Sequence, residues 1–529
     1  MWKAVGFVAE LESKGRILVR EGTRQIAVFM SQGEVYALDN RCPHEGYPLL
    51  QGALNAAQCS LTCHWHNWKF DLKNGKALVG QDSVRTYPAR IEAGQVWLDF
   101  SPPDRAQRET QLKENLRQAF EKRQYGRLSR ELARLDFEGF DPVLSLRDAI
   151  FWSHAHLEFG FGHAYAAAAD WIQLADRSEK QADRLIALTE ALDHLALDVL
   201  REPVFPYSQA RSPYASQALQ KALENEEEAQ AQALLNDALA RGLHFAELEE
   251  TLAEFALSHY LDFGHSLIYL LKTRELIQRL GSELEGPLLK ALVRSLCFAT
   301  REELLPAFRA YAPALAKLQA LPEWGSQASP PEPEALLGAS PKAAFEWLFE
   351  SAKLYRPEAI YQSLLAANAH SLLSFDLRFQ AATENPVSEN MGWLDLTHAL
   401  TFAQAVHQIC RAWPQLWPQG LLQLAAFYGR NTPYLTQENR SEAWFVADPE
   451  RFWAETDQLL LDHGLGVPIF SAHLLKTSQA LRSEYAALDP RFQAELLAGL
   501  NRFLHSPIKQ RHARRTALQS LALVGKDIV

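Results

Sequence analysis

A small antiparallel β domain followed by a large all-α helical-bundle domain is the fold class that the sequence predicts. Three observations carry it. Runs of β-branched and aromatic residues that alternate in polarity are concentrated in the first hundred residues. Beyond about residue 110, apolar side chains recur every three or four residues, the period of an amphipathic helix. A chain of 529 residues also exceeds what one hydrophobic core serves, so at least two domains are expected.

In chain order, RILVREG (16–22), QIAVFMS (25–31) and EVYALDN (34–40) read as strands with turn residues between them, and QVWLDF (95–100) closes the region. SPPDRAQRE (101–109) reads as a charged, proline-marked linker, which sets the predicted domains at 1–103 and 104–529. ETQLKENLRQAFEKR, DRLIALTEALDHLALDVLRE and FAELEETLAEFALSHYL then read as helices. LPEWGSQASPPEPEALLGASP (321–341) reads as a long Pro/Ser-rich loop within the helical domain. The C-terminal KQRHARRTALQSLALVGK, basic on one face, reads as a solvated helix.

The composition, 47% apolar and rich in Ala, Leu, Gln and Glu, suits a soluble helical protein. A net charge of −11 offers no electrostatic footprint for nucleic acid. No stretch approaches about 18 uninterrupted apolar residues, so no membrane span is expected. MWKAVGFVAELESKG has no apolar segment with a cleavage site, and the expected location is cytoplasmic. The five cysteines (42, 59, 63, 297 and 410) are odd in number and unevenly spread, unlike a disulfide framework. Two of them stand beside histidines, which points to metal.

Cys42-Pro-His44 is followed by Cys63-His-Trp-His66, the pattern C-x-H…C-x-x-H. Two thiolates and two neutral imidazoles can hold one zinc ion, or a [2Fe–2S] pair with both histidines on one iron. The surrounding CPHEGYPLLQG and CHWHNWKFDLKNG resemble the Rieske family, in its ferredoxin and oxygenase branch, over about residues 1–100. That resemblance implies a Rieske-type [2Fe–2S] cluster with Cys42 and Cys63 on one iron and His44 and His66 on the other. His64 stands where the family usually has proline and is expected to be a bystander. Cys59 is expected to be a small buried strand residue. One branch of the family ties its cluster loops with a disulfide whose cysteines would fall at positions 47 and 65. Tyr47 and Trp65 preclude that bond here. Asn67 replaces the hydroxyl donor that the high-potential branch places after its last ligand. Fewer donors to cluster sulfur leave the reduced state less stabilised, so the midpoint should lie at the low end of the roughly −150 to +300 mV Rieske range. A redox titration should give a midpoint below zero; a positive one would contradict this reading.

A cluster of this kind passes one electron at a time. No G-x-G-x-x-G loop follows a strand. Electrons are therefore expected from a separate NAD(P)H-dependent reductase or ferredoxin, with an acceptor in the helical part.

There one context recurs. FGH163 begins HAYAAAADWI, FGH265 begins HSLIYLLKTREL, LTH398 begins HALTFAQAV and SAH473 begins HLLKTSQALRSEY. Four imidazoles entering an apolar core cost free energy unless bonded, and helix bundles meet that cost with a shared metal. Ideal-helix geometry favours one histidine per helix. His259 and His265 would differ by about 120°, and His156 and His163 would stand about 10 Å apart. His398 and His407 would lie on opposite sides of their helix. Lys476, three residues after His473, would be expelled from an apolar helix or neutralised there. Reaction with CO₂ would turn it into a carboxylate-like oxygen ligand; a lysine that snorkels to the surface is the alternative. A two-histidine, one-carboxylate iron site on a β-rich domain is the runner-up. Its nearest candidates, Asp395-x-x-His398 and His259…His265, lack the expected spacing.

WSHAHLEFGFGHAY, LSHYLDFGHSLIYLL, WLDLTHALTFAQAV and SAHLLKTSQAL resemble the questin oxidase-like family, over about residues 145–485. That resemblance implies a mononuclear non-haem iron held by four histidines and a carbamylated lysine. Its chemistry would be oxidative cleavage or oxygen insertion on polyketide-type aromatic rings. Residue by residue it implies His163, His265, His398, His473 and Lys476, with His154, His156, His259 and His370 as competing positions. The two resemblances together imply an oxygenase that takes O₂, external electrons and an apolar, aromatic-type substrate. The alternative is a Rieske electron-transfer or redox-responsive binding protein whose helical domain only docks.

Overall fold

The computed structural model describes residues 1–436 and 442–527, and of Ser388, Lys526 and Asp527 the backbone only. The chain packs as two compact units, residues 1–119 with 124–140, and residues 120–123 with 141–529. The fold class is the predicted one, antiparallel β followed by a large helical region.

In the first unit the strands are β1 (Trp2–Phe7), β2 (Arg16–Glu21), β3 (Arg24–Ser31), β4 (Glu34–Asp39), β5 (Ala53–Asn55), β6 (Ser60–Thr62), β7 (Lys69–Asp71), β8 (Ala77–Val79), β9 (Thr86–Tyr87), β10 (Ala89–Glu92) and β11 (Gln95–Asp99). They form three antiparallel sheets with orders β1-β11-β10, β2-β3-β4-β9 and β5-β6-β7-β8. Strand β3 is apolar on both faces and divides two cores. Its Ala27 and Phe29 join Leu38, Leu49, Leu61 and Phe70 beneath the cysteine loops. Its Ile26 and Val28 join Leu11, Val96 and Leu98 on the other side.

Two features of this unit differ from the sequence reading. The predicted linker is already helical from Arg105, because Asp104 caps the helix Arg105–Glu121: its Oδ1 accepts from the Gln107 N–H at 3.0 Å. The unit also runs on past residue 103 to Phe140. What ties the helix Tyr125–Phe137 to it is Asp82, fully buried and ion-paired to Arg127 at 2.7 Å and Arg130 at 2.8 Å. Breaking such a buried pair from one side typically costs about 3–5 kcal/mol.

In the second unit the described residues form helices, with only isolated β-bridges such as Phe375↔Leu435. The predicted loop at 321–341 is irregular apart from a β-bridge at Gln327, one turn of 3₁₀ helix at Pro333–Leu336 and Pro341, which opens the next helix. Four helices position the histidines of interest: His163–Arg177, His265–Leu280, Trp393–Ala412 and Pro468–Tyr485. The first packs on the second, the second on the third, the third on the fourth and the fourth on the first, closing a ring. No described helix is long and apolar enough to cross a membrane.

Candidate metal centres

In the β unit, the loop 42–47 follows β4 and the loop 63–68 joins β6 to β7. Each closes on itself. The Gly46 N–H donates to the Cys42 carbonyl at 2.8 Å, and the Cys63 N–H donates to the Trp68 carbonyl at 2.7 Å. The cysteines point inward, at 4% and 1% exposure, while the histidines stay nearer the surface. Nδ1 of His44 lies 3.1 Å from Nδ1 of His66. Each imidazole has an indole against its face: Trp68 stacks on His44 at 4.7 Å and Trp65 on His66 at 5.4 Å. Gly80 allows the first of these stacks, since a Cβ there would sit 2.5 Å from the Trp68 ring.

Burial raises the Cys42 thiol to about 11, against a lowering by the His44 N–H, so a proton stays on it unless a metal replaces it. Two buried sulfurs and two facing imidazole nitrogens, about as far apart as two ligands of one ion at ~2.0–2.1 Å, fit the bound group that the motif implies. His64 is exposed and takes no part in the pair. Cys59 is buried, but it sits in a left-handed turn just before β6 and not in the strand.

The second cluster belongs wholly to the helical unit. Nε2 of His265 is 3.0 Å from Nε2 of His163, and Nε2 of His473 is 3.3 Å from Nε2 of His398. One ring nitrogen from each of His163, His398 and His473 lies within 4.8 Å of the others, and the His265 and His398 ring centres are 4.6 Å apart. His265 Nδ1–H donates to the Asp262 carbonyl at 2.5 Å and His473 Nδ1–H to the Ile469 carbonyl at 2.7 Å. Those bonds place the proton on Nδ1 and leave a lone pair on Nε2, aimed inward. Tyr269 Oη stands 3.5 Å from Nδ1 of His163.

Burial, reinforced by Lys476 and the neighbouring imidazoles, holds His163, His398 and His473 well below the usual histidine range. Burial also lowers His265, and Lys476 lowers it further, against a rise from Asp262. His163 and His265 are the first residues of their helices, where the positive helix end also disfavours imidazolium. His398 and His473 lie inside their helices instead of opening them, which begin at Trp393 and Pro468.

Lys476 is 1% exposed, and its Nζ has no hydrogen-bond partner among the described residues. Burial lowers it to about 8, with Asp170 opposing and Lys272 adding to the fall. It does not snorkel. A buried, unpaired amine beside four neutral imidazoles is costly as it stands. A cation held by the imidazoles, with the amine converted to an oxygen ligand, would remove that cost. The donor set thus fits a bound metal.

The backbone leading into His265 is strained. Asp262, Phe263 and Gly264 have φ of 45°, 47° and 83°, and a Cβ on Gly264 would lie 2.6 Å from the Phe402 ring. Gly264→Ala should cost about 3 kcal/mol in denaturant unfolding and loosen metal retention, because Phe402 shares a helix with His398.

The competing histidines are engaged elsewhere. His154 Nδ1 bonds the Phe151 carbonyl and His156 Nδ1 the Glu202 carbonyl. His259 bridges Glu303 and Glu224, at 2.7 Å each, and these carboxylates raise it. His370 pairs with Glu495 and Ser374. The ideal-helix argument that separated His259 from His265 does not apply, because the preceding helix ends at Ser258 and the chain turns. Asp395 is a cap: its carboxylate accepts from the Gly392 N–H at 2.9 Å.

Sequence reasoning missed Tyr269, His194 and the buried pair Asp170–Lys272. His194 is 3% exposed, and its Nδ1 has no partner among the described residues; burial, then Lys476, takes it down to about 3. Lys272 Nζ lies 2.8 Å from Asp170 and 2.9 Å from Glu275. One signal was available: YLLKT (269–273) repeats the HLLKT of 473–477.

Residues 1–88 match the family profile described as the Rieske [2Fe-2S] domain. The chain is 32% identical over 109 residues to the 4beta-methylsterol monooxygenase of Methylococcus capsulatus, a match that covers 18% of this chain but only 29% of that enzyme. It is 32% identical over 80 residues to the ferredoxin component of the naphthalene 1,2-dioxygenase system of Pseudomonas aeruginosa, covering 15% of this chain and 75% of that protein. The ferredoxin of carbazole 1,9a-dioxygenase from Nocardioides aromaticivorans IC177 is similar in structure over 18% of this chain and 96% of its own, at 22% identity and a TM-score of 0.18.

Proposed function

Because the chain belongs to the Rieske [2Fe–2S] family through its first 88 residues, we propose that it is a Rieske-dependent non-haem iron oxygenase. In this reading Cys42, His44, Cys63 and His66 hold the electron-transfer cluster. His163, His265, His398, His473 and a carbamylated Lys476 hold a mononuclear iron in the helical unit. The observation that carries the reading is the convergence of four neutral imidazoles beside a buried amine that has no partner among the described residues.

When bound, the iron would supply O₂ activation with electrons delivered through the cluster. The protein's own part is to keep the nitrogens unprotonated and aimed. The Asp262 and Ile469 carbonyls hold the Nδ1 protons of His265 and His473, which fixes the tautomer. Tyr269, beside His163, offers a hydroxyl proton at the edge of the site. Phe161, packed on Tyr269, and Phe402, next to Gly264, keep that neighbourhood apolar. An apolar, aromatic-type substrate suits such walls. The relatives named for a sterol and for naphthalene support the same substrate class. A separate NAD(P)H-dependent reductase or ferredoxin would supply the electrons, and the cytoplasm is the proposed location.

The test is O₂ uptake by the full chain with reductase, NADH and a fused-ring aromatic. The wild type should consume O₂ in a substrate-stimulated way, and His473→Ala should fall to background while its cluster still reduces. Equal uptake by both proteins would contradict the proposal. The second reading, an electron carrier with a docking bundle, is favoured by the match to a ferredoxin component over most of that component's length. It predicts that His473→Ala leaves electron transfer to an acceptor protein intact and that neither protein consumes O₂ with substrate.

A further inference from the structure

A third constellation lies in the helical unit, between the helices Pro357–Ser374 and Pro490–His505. Ser374 Oγ is 2.8 Å from Nε2 of His370, one turn earlier on the same helix. Nδ1–H of that imidazole donates to the Glu495 carboxylate on the second helix. The carboxylate can only accept, so it fixes the proton on Nδ1 and leaves Nε2 to accept the serine O–H. Hydroxyl, imidazole and carboxylate in this order make an activated nucleophile.

All three residues line one cavity of about 1160 Å³, with Leu337, Leu435 and Phe445 among its apolar walls and Arg491 as a cationic one. The arrangement is held firmly. The two helices pack so closely that a Cβ on Gly499 would lie 2.7 Å from the Ala369 carbonyl oxygen. Ser374, at 3% exposure, sits at the cavity floor, and Glu495 is open to solvent. His370 is engaged here and takes no part in the four-histidine cluster.

We infer that this cavity is a second, hydrolytic site, in which Ser374 is the nucleophile toward carboxylic esters with an apolar acyl group. Ser374 Oγ bonds to the ester carbonyl carbon as its proton passes to His370 Nε2. The bond from carbon to the alcohol oxygen then breaks, and the alcohol departs with that proton. Water, giving a proton to the same nitrogen, attacks the acyl-serine; the carboxylic acid is released and Ser374 regains its hydrogen. No electrons are exchanged, and water is the only co-reactant. Arg491, held by Asp489, Glu332 and the Pro330 carbonyl, marks the polar end of the cavity. Glu495 is a positioning residue that orients the imidazole.

The experiment uses the full chain, a fluorophosphonate probe and p-nitrophenyl butyrate. Intact mass should show one adduct per chain, mapped by peptide analysis to Ser374 and missing from Ser374→Ala. His370→Asn should slow labelling about 100-fold or more. Glu495→Gln should lower kcat with KM unchanged, and Glu495→Asp should recover part of it. Each variant's circular dichroism and cluster absorbance report folding independently. A wild type that forms no adduct and releases no p-nitrophenol overturns the inference, as does labelling that persists in Ser374→Ala.

Discussion

His398→Ala and His473→Ala are expected each to remove one iron per chain and to leave two. The two residues stand 3.3 Å apart through their Nε2 atoms, and each supplies one of the three nitrogens that lie within 4.8 Å of one another. Deleting either imidazole removes a donor and opens a hole in a tightly packed ring of helices. The remaining histidines cannot close on the ion, because their rings are fixed by backbone carbonyls and helix ends. The proposed cluster residues Cys42, His44, Cys63 and His66 belong to the first unit, so the cluster absorbance and two irons should persist. Iron and sulfide analysis of wild type and variants, purified in parallel, reads this directly. Equal iron in all three proteins would show that the histidines are structural.

The second large effect runs the other way. His66→Ala should lose the cluster and all reductase-dependent electron uptake, while the helical iron stays. His66 Nδ1 faces His44 Nδ1 at 3.1 Å, so its loss leaves one iron with a single protein nitrogen. His64→Pro should keep the cluster, since His64 is exposed and outside that pair. Visible absorbance and the paramagnetic signal of the reduced cluster distinguish the two variants. A His66→Ala protein with an intact signal would move the ligand to His64 and overturn the assignment.

These effects rest on features that differ in how openly the sequence shows them. The C-x-H…C-x-x-H spacing was legible because the four residues proposed as cluster ligands sit on short loops between short strands, where sequence order and spatial order nearly coincide. The four histidines were legible through context. Two follow a glycine that starts a helix, and two lie in long Ala/Leu-rich helices, so an imidazole in each segment must face the core.

The rest depended on distant partners. LLKT occurs twice, yet Lys272 is neutralised by Asp170, a hundred residues away, and Lys476 finds no such partner. Locally the two differ in that Glu275 stands three residues after Lys272, where Gln479 follows Lys476. Asp82 likewise recruits arginines some 45 residues downstream, which extends the first unit past the proline-marked stretch. His259 misled the helix geometry because three successive left-handed residues before His265 break the helical path.

The proposed oxygenase requires a mononuclear iron in addition to the cluster. Mössbauer spectroscopy of the full chain, purified without oxygen from ⁵⁷Fe-grown cells, tests it most directly. Two components in a 2:1 area ratio are expected, the larger from the [2Fe–2S] pair and the smaller from a mononuclear high-spin iron bound by nitrogen and oxygen. A spectrum accounted for by the cluster alone, with no other metal in the same sample, would contradict it.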